Sequence, residues 1–307
     1  MIHGIINVYK EKGFTSHDVV AKLRGIIGQR KIGHTGTLDP DATGVLPVCL
    51  GKATKLCDLL ADKSKTYEAV LLLGKTTDTQ DITGTVLTER ETRGLINEAV
   101  KSCVYDFIGQ YEQVPPMYSA LKVNGKKLYE LAREGKEIER KARPVTIHEI
   151  QILEMDLPRV RISVTCSKGT YIRTLCHDIG VKLGCGGCME ELVRTRSGRF
   201  LLSGSATLSE VEEHQRGGKM ESIVTPIDAM FTGYRNIILT GEALQRVYNG
   251  NTFTPAEASE HYSDGENVRV YDAEGQFIAL YEYYGDQRYF KIVKMFFDRN
   301  EMTEELR

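Results

Sequence analysis

The chain has 307 residues, 41% hydrophobic and 27% charged, with a formal net charge of −2. Length and ordinary composition suit a soluble globular protein of about two domains, and no apolar run reaches the roughly 18 residues of a membrane-spanning helix. Seven scattered cysteines and an N-terminus that does not read as a secretory leader point to free thiols in a reducing cytoplasm.

"IHGIINVYK" reads as an opening strand, and "TSHDVVAKLRGIIG" as a helix with Thr15 or Ser16 as its cap. The polar loop "GHTGTLDPDATGVLP" follows, rich in residues that bend the backbone. Gly44–Leu50 suits a strand, and "ATKLCDLLAD" a helix with Leu56, Leu59 and Leu60 on one side. "KTYEAVLLLG" and "GTVLTE" read as two strands joined by the polar connection "KTTDTQDIT", ahead of a helix around Arg93–Val104. Prolines 115 and 116 impose an extended stretch. A turn at Asn124-Gly125 and a short helix Lys127–Arg133 come next. "PVTIHEIQILEM" and "RVRISVTCS" alternate as an antiparallel pair, and Gly169 opens a helix over Tyr171–Leu183. Strands interspersed with helices indicate an α+β domain. After a helix in "TLSEVEEHQRGGKM", short strand-like runs beyond Gly233 indicate a small β-rich domain.

Charge is unevenly spread. From Leu201 onward there are 10 basic and 18 acidic residues, so residues 1–200 carry a net +6, and Lys122–Arg143 holds eight basic residues against four acidic. A basic face on a nearly neutral protein fits a nucleic-acid enzyme as well as a merely solvated surface.

Three partial motifs fail. "GVLPVCLGKAT" spaces its glycines by six residues where a phosphate loop needs four. "DPDATG" opens like a calcium loop but has Leu50 at the twelfth position, where a glutamate is required. Cys185 and Cys188 lack the second ligand pair of a structural zinc site, and read as two thiols at a glycine-rich helix exit. No metal or cofactor is indicated. Three polar islands remain: Asp39 before Pro40, Tyr67 at the head of an apolar strand, and Tyr171 with Arg173 after the Lys168-Gly169 turn. On the residues alone, Asp39 is either a turn carboxylate or a displayed reactive group, Tyr67 a core or pocket ring, and Arg173 an ordinary ion pair or an anion grip.

In this order, "GHTGTLDPDATGVLPVCLGKATK", "KTYEAVLLLGKTTDTQD", "QVPPMYSALKVNGKKLYELAREG" and "CSKGTYIRTLCHDIG" resemble the signature blocks of the bacterial TruB pseudouridine synthases, over roughly residues 2–230. The resemblance implies an α+β pseudouridine-synthase core with a mixed, largely antiparallel sheet flanked by helices at residues 1–232. It implies a small PUA-like RNA-binding domain at 233–307. It implies isomerisation of a T-loop uridine of tRNA to pseudouridine; that reaction adds no group and changes no oxidation state, so no cofactor is expected, and nothing in the sequence demands an obligatory protein partner or more than a cytoplasmic monomer. Asp39 matches the catalytic aspartate and Arg173 the arginine paired with it. Tyr67 matches the tyrosine stacked on the target base, and Tyr171 a second pocket residue. For RNA binding, His34 matches a residue that fills space left by the flipped nucleotide, and Leu192 an apolar pocket residue. Lys10 matches a lysine of an N-terminal block that here has Glu11 in place of a proline.

The chemistry breaks a C1′–N1 bond and remakes it to C5 of the same base. An ionised carboxylate serves by attack at C1′, by addition at C6, or by removal of the C2′ proton. The expectation is that the charge of Arg173 outweighs burial and keeps Asp39 ionised. A guide-RNA-dependent synthase with the same core, or a non-catalytic RNA-binding protein on this scaffold, are the alternative readings.

Overall fold

The structure is a computed structural model that describes residues 1–61, 63–123, 125–255 and 261–297. Asn124, half of the turn expected at Asn124-Gly125, lies outside the described residues. The chain divides into two compact units. One comprises Ile6–Cys49 and Thr54–Ile223; the other comprises Val224 onward with Met1–Ile5 and Leu50–Ala53.

Along the chain come β1 (Gly4–Lys10), α1 (Ser16–Ile27), β2 (Ile32–His34), β3 (Thr43–Leu50), α2 (Cys57–Ala61), β4 (Lys65–Leu73), β5 (Lys75–Thr77), β6 (Val86–Glu89) and α3 (Asn97–Tyr105). They are followed by β7 (Gly109–Gln113), β8 (Lys122–Val123), β9 (Lys126–Lys127), α4 (Leu128–Arg133), β10 (Arg143–Asp156), β11 (Arg159–Cys166), α5 (Ile172–Lys182), β12 (Gly187–Ser197), β13 (Phe200–Leu201) and α6 (Leu208–Arg216). The sheet that carries the larger unit runs β1-β3-β12-β4-β11-β10-β7, with β2 on β3 and β13 on β12. β3 and β12 are parallel, whereas β12–β4, β4–β11, β11–β10 and β10–β7 are antiparallel. This is the mixed, largely antiparallel sheet expected from the sequence.

Its elements follow from local chemistry. Thr15 caps α1 in a reciprocal box with Asp18, and Gly28 ends it in the left-handed conformation at φ 71. The apolar side of β4 packs Ala69, Leu71 and Leu73 against Val160, Ile162 and Val164 of β11 and against Leu175, Cys176 and Ile179 of α5. Each buried Val, Leu or Ile contributes roughly 1.5–3 kcal/mol on burial, which holds α5 against the strands.

Three features refine the reading. "GTVLTE" forms β6 on β5 in a separate hairpin, and the partners of β4 are β11 and β12. Leu56 is buried but Leu59 is 41% exposed, because Gly51–Leu56 is a 3₁₀ turn and only Cys57–Ala61 is α-helical. A 3₁₀ turn advances the side chains by a different angle from an α-turn. The segment after the two-thiol turn is a central strand, β12. Its bulges at Met189/Glu191 and Arg194/Arg196 break the two-residue alternation by which a strand is read.

The smaller unit contains β14 (Val224–Thr225), β15 (Arg235–Ile238), α7 (Gly241–Tyr248), β16 (Asn267–Tyr271), β17 (Phe277–Tyr284) and β18 (Tyr289–Met295). β15 to β18 form one sheet in chain order. Its core is aromatic, with Phe253 stacked on Phe290 at 4.6 Å and Tyr248 on Phe297 at 4.3 Å. Gly275 N–H donates to Asp272 C=O in the turn between β16 and β17.

Candidate active site

The loop between β2 and β3 is pinned from inside. Leu38 and Ala42 are buried in the main core, and Leu38 N–H donates to Ser16 Oγ at 2.9 Å. Ala42 N–H donates to Asp39 C=O at 3.1 Å, closing a backbone turn. With residues 38 and 42 plugged into the core, the Asp39 side chain is displayed on the turn between them.

Two buried cations tie this loop to its surroundings through backbone carbonyls. The Lys10 ammonium donates to the carbonyls of Phe14 at 2.6 Å, Pro40 at 3.0 Å and Glu11 at 3.1 Å. Arg194 of β12 donates to the carbonyls of Val45 at 2.6 Å, Gly36 at 3.3 Å and Thr37 at 3.5 Å. Gly44 pairs with Arg194 in the parallel β3–β12 ladder. Its φ is +104, and a Cβ there would lie 2.2 Å from the Arg194 carbonyl oxygen. Only glycine satisfies both conditions.

Arg173, in the first turn of α5, reaches Asp39 with two nitrogens. Its Nε lies 3.1 Å from Oδ2, and its Nη2 donates to Oδ1 at 3.4 Å. The guanidinium side chain is 6% exposed, whereas that of Asp39 is 38% exposed. The remaining donors are satisfied by the carbonyls of Tyr118 at 2.9 Å and Thr79 at 3.4 Å. A second carboxylate, Asp81, sits 3.6 Å from Nη1.

Sequence reasoning passed over Asp81, which lies in the polar connection after β5. The usable signal was Thr79 and Thr83 on either side of it. Both hydroxyls donate to its Oδ1, at 2.8 and 2.6 Å, which leaves Oδ2 turned to Arg173. Arg194 was passed over as well, because the β12 bulges hide which of its residues face inward.

Burial pushes the Asp39 carboxyl above its ordinary value; Arg173 pulls it down, and Asp81 pushes it up again. The expectation that Arg173 would dominate is therefore corrected. Its one charge is shared between two carboxylates, and that does not repay the loss of water around Asp39.

Tyr67 on β4 is buried, and desolvation raises its phenol pKa against the pull of Arg194, with Asp39 also acting on it. Tyr171 at the start of α5 is raised by desolvation, with Arg173 and Asp39 both within electrostatic reach. These two rings, Asp39 and Arg173 thus form one cluster. His34 on β2 accepts a hydrogen bond at Nδ1 from Gly36 N–H at 3.2 Å, which places its ring proton on Nε2. Its pKa is lowered by burial, so the ring is neutral near pH 7. Leu192 on β12 packs, partly buried, at the margin of the main core.

The arrangement is a partly exposed carboxylate held from behind by a buried guanidinium, with two tyrosines within electrostatic reach. Comparison with known proteins gives the family. Residues 24–172 match the model of the TruB family pseudouridylate synthase N-terminal domain, and residues 173–232 that of the tRNA pseudouridylate synthase B C-terminal domain. The chain belongs to the TruB family of pseudouridine synthases. This TruB-family chain is 52% identical over 308 residues to the tRNA pseudouridine synthase B of Lachnoclostridium phytofermentans, covering 96% of this chain and 100% of that protein. It is 43% identical over 310 residues to that of Alkaliphilus oremlandii, covering 97% and 100%. Among solved structures it is similar to a chain in the crystal structure of a Cbf5-Nop10-Gar1 complex. There the TM-score is 0.72 and the identity 27%, over 97% of this chain and 86% of that one.

In this TruB-family enzyme Lys10 departs from the expectation of RNA contact. It has no exposed surface and its donors go to backbone carbonyls, so it supports the Asp39 loop from within. Burial lowers its pKa to about 8, against the pull of Asp39 and Asp41. Between about pH 8 and the ordinary 10.5 the unfolded chain holds the extra proton, so this group makes stability rise with pH across that window. Lys10→Met removes the contribution. Urea midpoints at pH 7.5 and pH 10 are expected to show the wild type gaining on the variant; an unchanged gap would contradict a buried charged Lys10.

Proposed function

We propose that this chain converts a uridine in the T-loop of tRNA to pseudouridine, with Asp39 as the nucleophile. The observation that carries the proposal is the two-point pair with Arg173. It fixes the carboxylate from its buried side and leaves more than a third of the Asp39 side chain exposed to a ligand. Ring Tyr67 stacks on the extruded base. Such a contact gains ~1–3 kcal/mol, comparable with the few kcal/mol needed to flip a nucleotide. Tyr171 forms a second wall and Leu192 an apolar one, while neutral His34 fills the place the flipped nucleotide leaves. The C1′–N1 bond breaks, the base is reattached through C5, and the C5 proton is lost while N1 gains one. The bond that Asp39 forms to the substrate is broken again before product leaves, so the carboxylate is regenerated and the isomerisation is redox-neutral.

The T-arm stem-loop is the proposed substrate, and the proposed place of action is the cytoplasm. The β-rich unit after Val224 is proposed as a PUA-like RNA-binding domain. No helix among the described residues is long and apolar enough to cross a membrane.

The test is incubation of the pure protein with an unmodified tRNA transcript, followed by mapping of pseudouridine at single-nucleotide resolution. One T-loop uridine is expected to be converted without any added RNA or protein. Modification elsewhere, or only with a guide RNA, would refute the assignment.

A further inference from the structure

Tyr171 is the N-cap of α5 and has no side-chain cap hydrogen bond. A helix start leaves N–H groups that need acceptors from outside the helix. Here the partner comes from the end of β7. Gln113 is 1% exposed. Its Oε1 accepts from Tyr171 N–H at 2.8 Å, and its Nε2 donates to Tyr171 C=O at 3.0 Å. The second N–H of that amide meets the Tyr111 hydroxyl.

A carboxamide carries donors and an acceptor on one rigid plane, so it can span both backbone groups of one residue. A carboxylate or an ammonium cannot. Gln113 is itself fixed by the β7–β10 ladder, opposite Arg143. Five residues further along the same segment, Tyr118 C=O accepts from Arg173 at 2.9 Å. Pro115 and Pro116 stiffen the span between. One short segment therefore grips the residue that begins α5 and the guanidinium two residues into it.

We infer that Gln113 is a positioning residue for the isomerisation: its amide sets the start of α5, and so aims the Tyr171 ring and the Arg173 guanidinium at Asp39. This rests on the reading of Asp39 and Arg173 as the reacting pair. Without the amide, the first turn of α5 loses its outside anchor and Arg173 moves off the carboxylate. Displacements of about an ångström at a reacting centre cost up to roughly a hundredfold in rate.

The experiment uses the full chain and an unmodified tRNA transcript, with single-turnover rates at saturating protein. Gln113→Met keeps the bulk without the hydrogen bonds. Gln113→Glu keeps an acceptor but offers no donor to Tyr171 C=O. Both are expected to fall about 10- to 100-fold in rate, with RNA Kd within threefold of wild type and with folded circular dichroism spectra at the assay temperature. The acid limb of the rate–pH profile is expected to move to higher pH, because Asp39 loses its opposing cation. In an Arg173→Lys background the same substitutions should cost less than in the wild type. Folded variants with rates within twofold of wild type, or a rate loss equal to the unfolded fraction with an unmoved pH profile, would overturn the inference. A wild type inactive on the transcript refutes the parent reading and this inference with it; an active wild type beside unimpaired Gln113 variants refutes this inference alone.

Discussion

Asp39→Asn is expected to bind unmodified tRNA as tightly as the wild type and to form pseudouridine more slowly by on the order of 10⁵-fold, the scale on which loss of a covalent nucleophile acts. The amide keeps the shape of the side chain but has no lone pair basic enough to make the bond. Stability should not fall with activity. Asp39 has its pKa raised chiefly by burial, so between the ordinary aspartate value and its own the folded state holds the extra proton. Stability therefore declines as pH rises through that window and stays lower above it. The Asn variant lacks this cost, and its urea midpoint near pH 7 should equal or exceed that of the wild type. For the same reason, the acid limb of wild-type turnover should lie above the usual carboxylate value of 3.8. Turnover by Asp39→Asn within tenfold of wild type would remove Asp39 from the chemistry.

Arg173→Met is the second large effect, and it should strike stability and rate together. The guanidinium stands between Asp39 at 3.1 Å and Asp81 at 3.6 Å, and the carbonyls of Tyr118 and Thr79 also point at it. Removing it leaves two carboxylates facing each other with no cation between them. Breaking a buried pair from one side costs roughly 3–5 kcal/mol; the exposure of Asp39 argues for the lower end, about 3 kcal/mol. The Asp39 carboxyl, already raised by burial, then rises further without the opposing charge of Arg173, so the deficit should shrink as the pH is lowered and it takes up a proton. Urea unfolding at pH 7 and pH 5 reads this directly. A pH-independent deficit would mean that packing, and not charge, was lost. The single-turnover rate should fall at least a hundredfold, because the carboxylate is no longer held in one orientation.

Much of the site could be read before the fold was known, for identifiable reasons. The cap at Thr15 or Ser16, the alternation of β10 and β11 and the display of Asp39 before Pro40 are local patterns, set by residues a few positions apart. What escaped depends on distant partners. Asp81 gains its meaning from an arginine 92 positions later, and Arg194 from a loop about 150 positions earlier. Lys10 looked like a surface cation because nothing local marks an ammonium whose acceptors are three backbone carbonyls. The sign of the Asp39 shift was misjudged because its partner Arg173 was visible in the chain, while the burial that outweighs it, and the second carboxylate that shares it, are set by the fold.

The anchors of the Asp39 loop have a bearing on how freely it can change. Lys10 and Arg194 hold it through the carbonyls of Gly36, Thr37, Pro40 and Val45, a group that every amino acid offers. The exposed Thr37 side chain takes none of these bonds, whereas exposed Asp41 acts through its charge on both Lys10 and Asp39. The side chain at Thr37 is therefore open to mutational drift without loosening the carboxylate. At Gly44 the reverse holds, and there the spacing of two backbones leaves evolution a single choice.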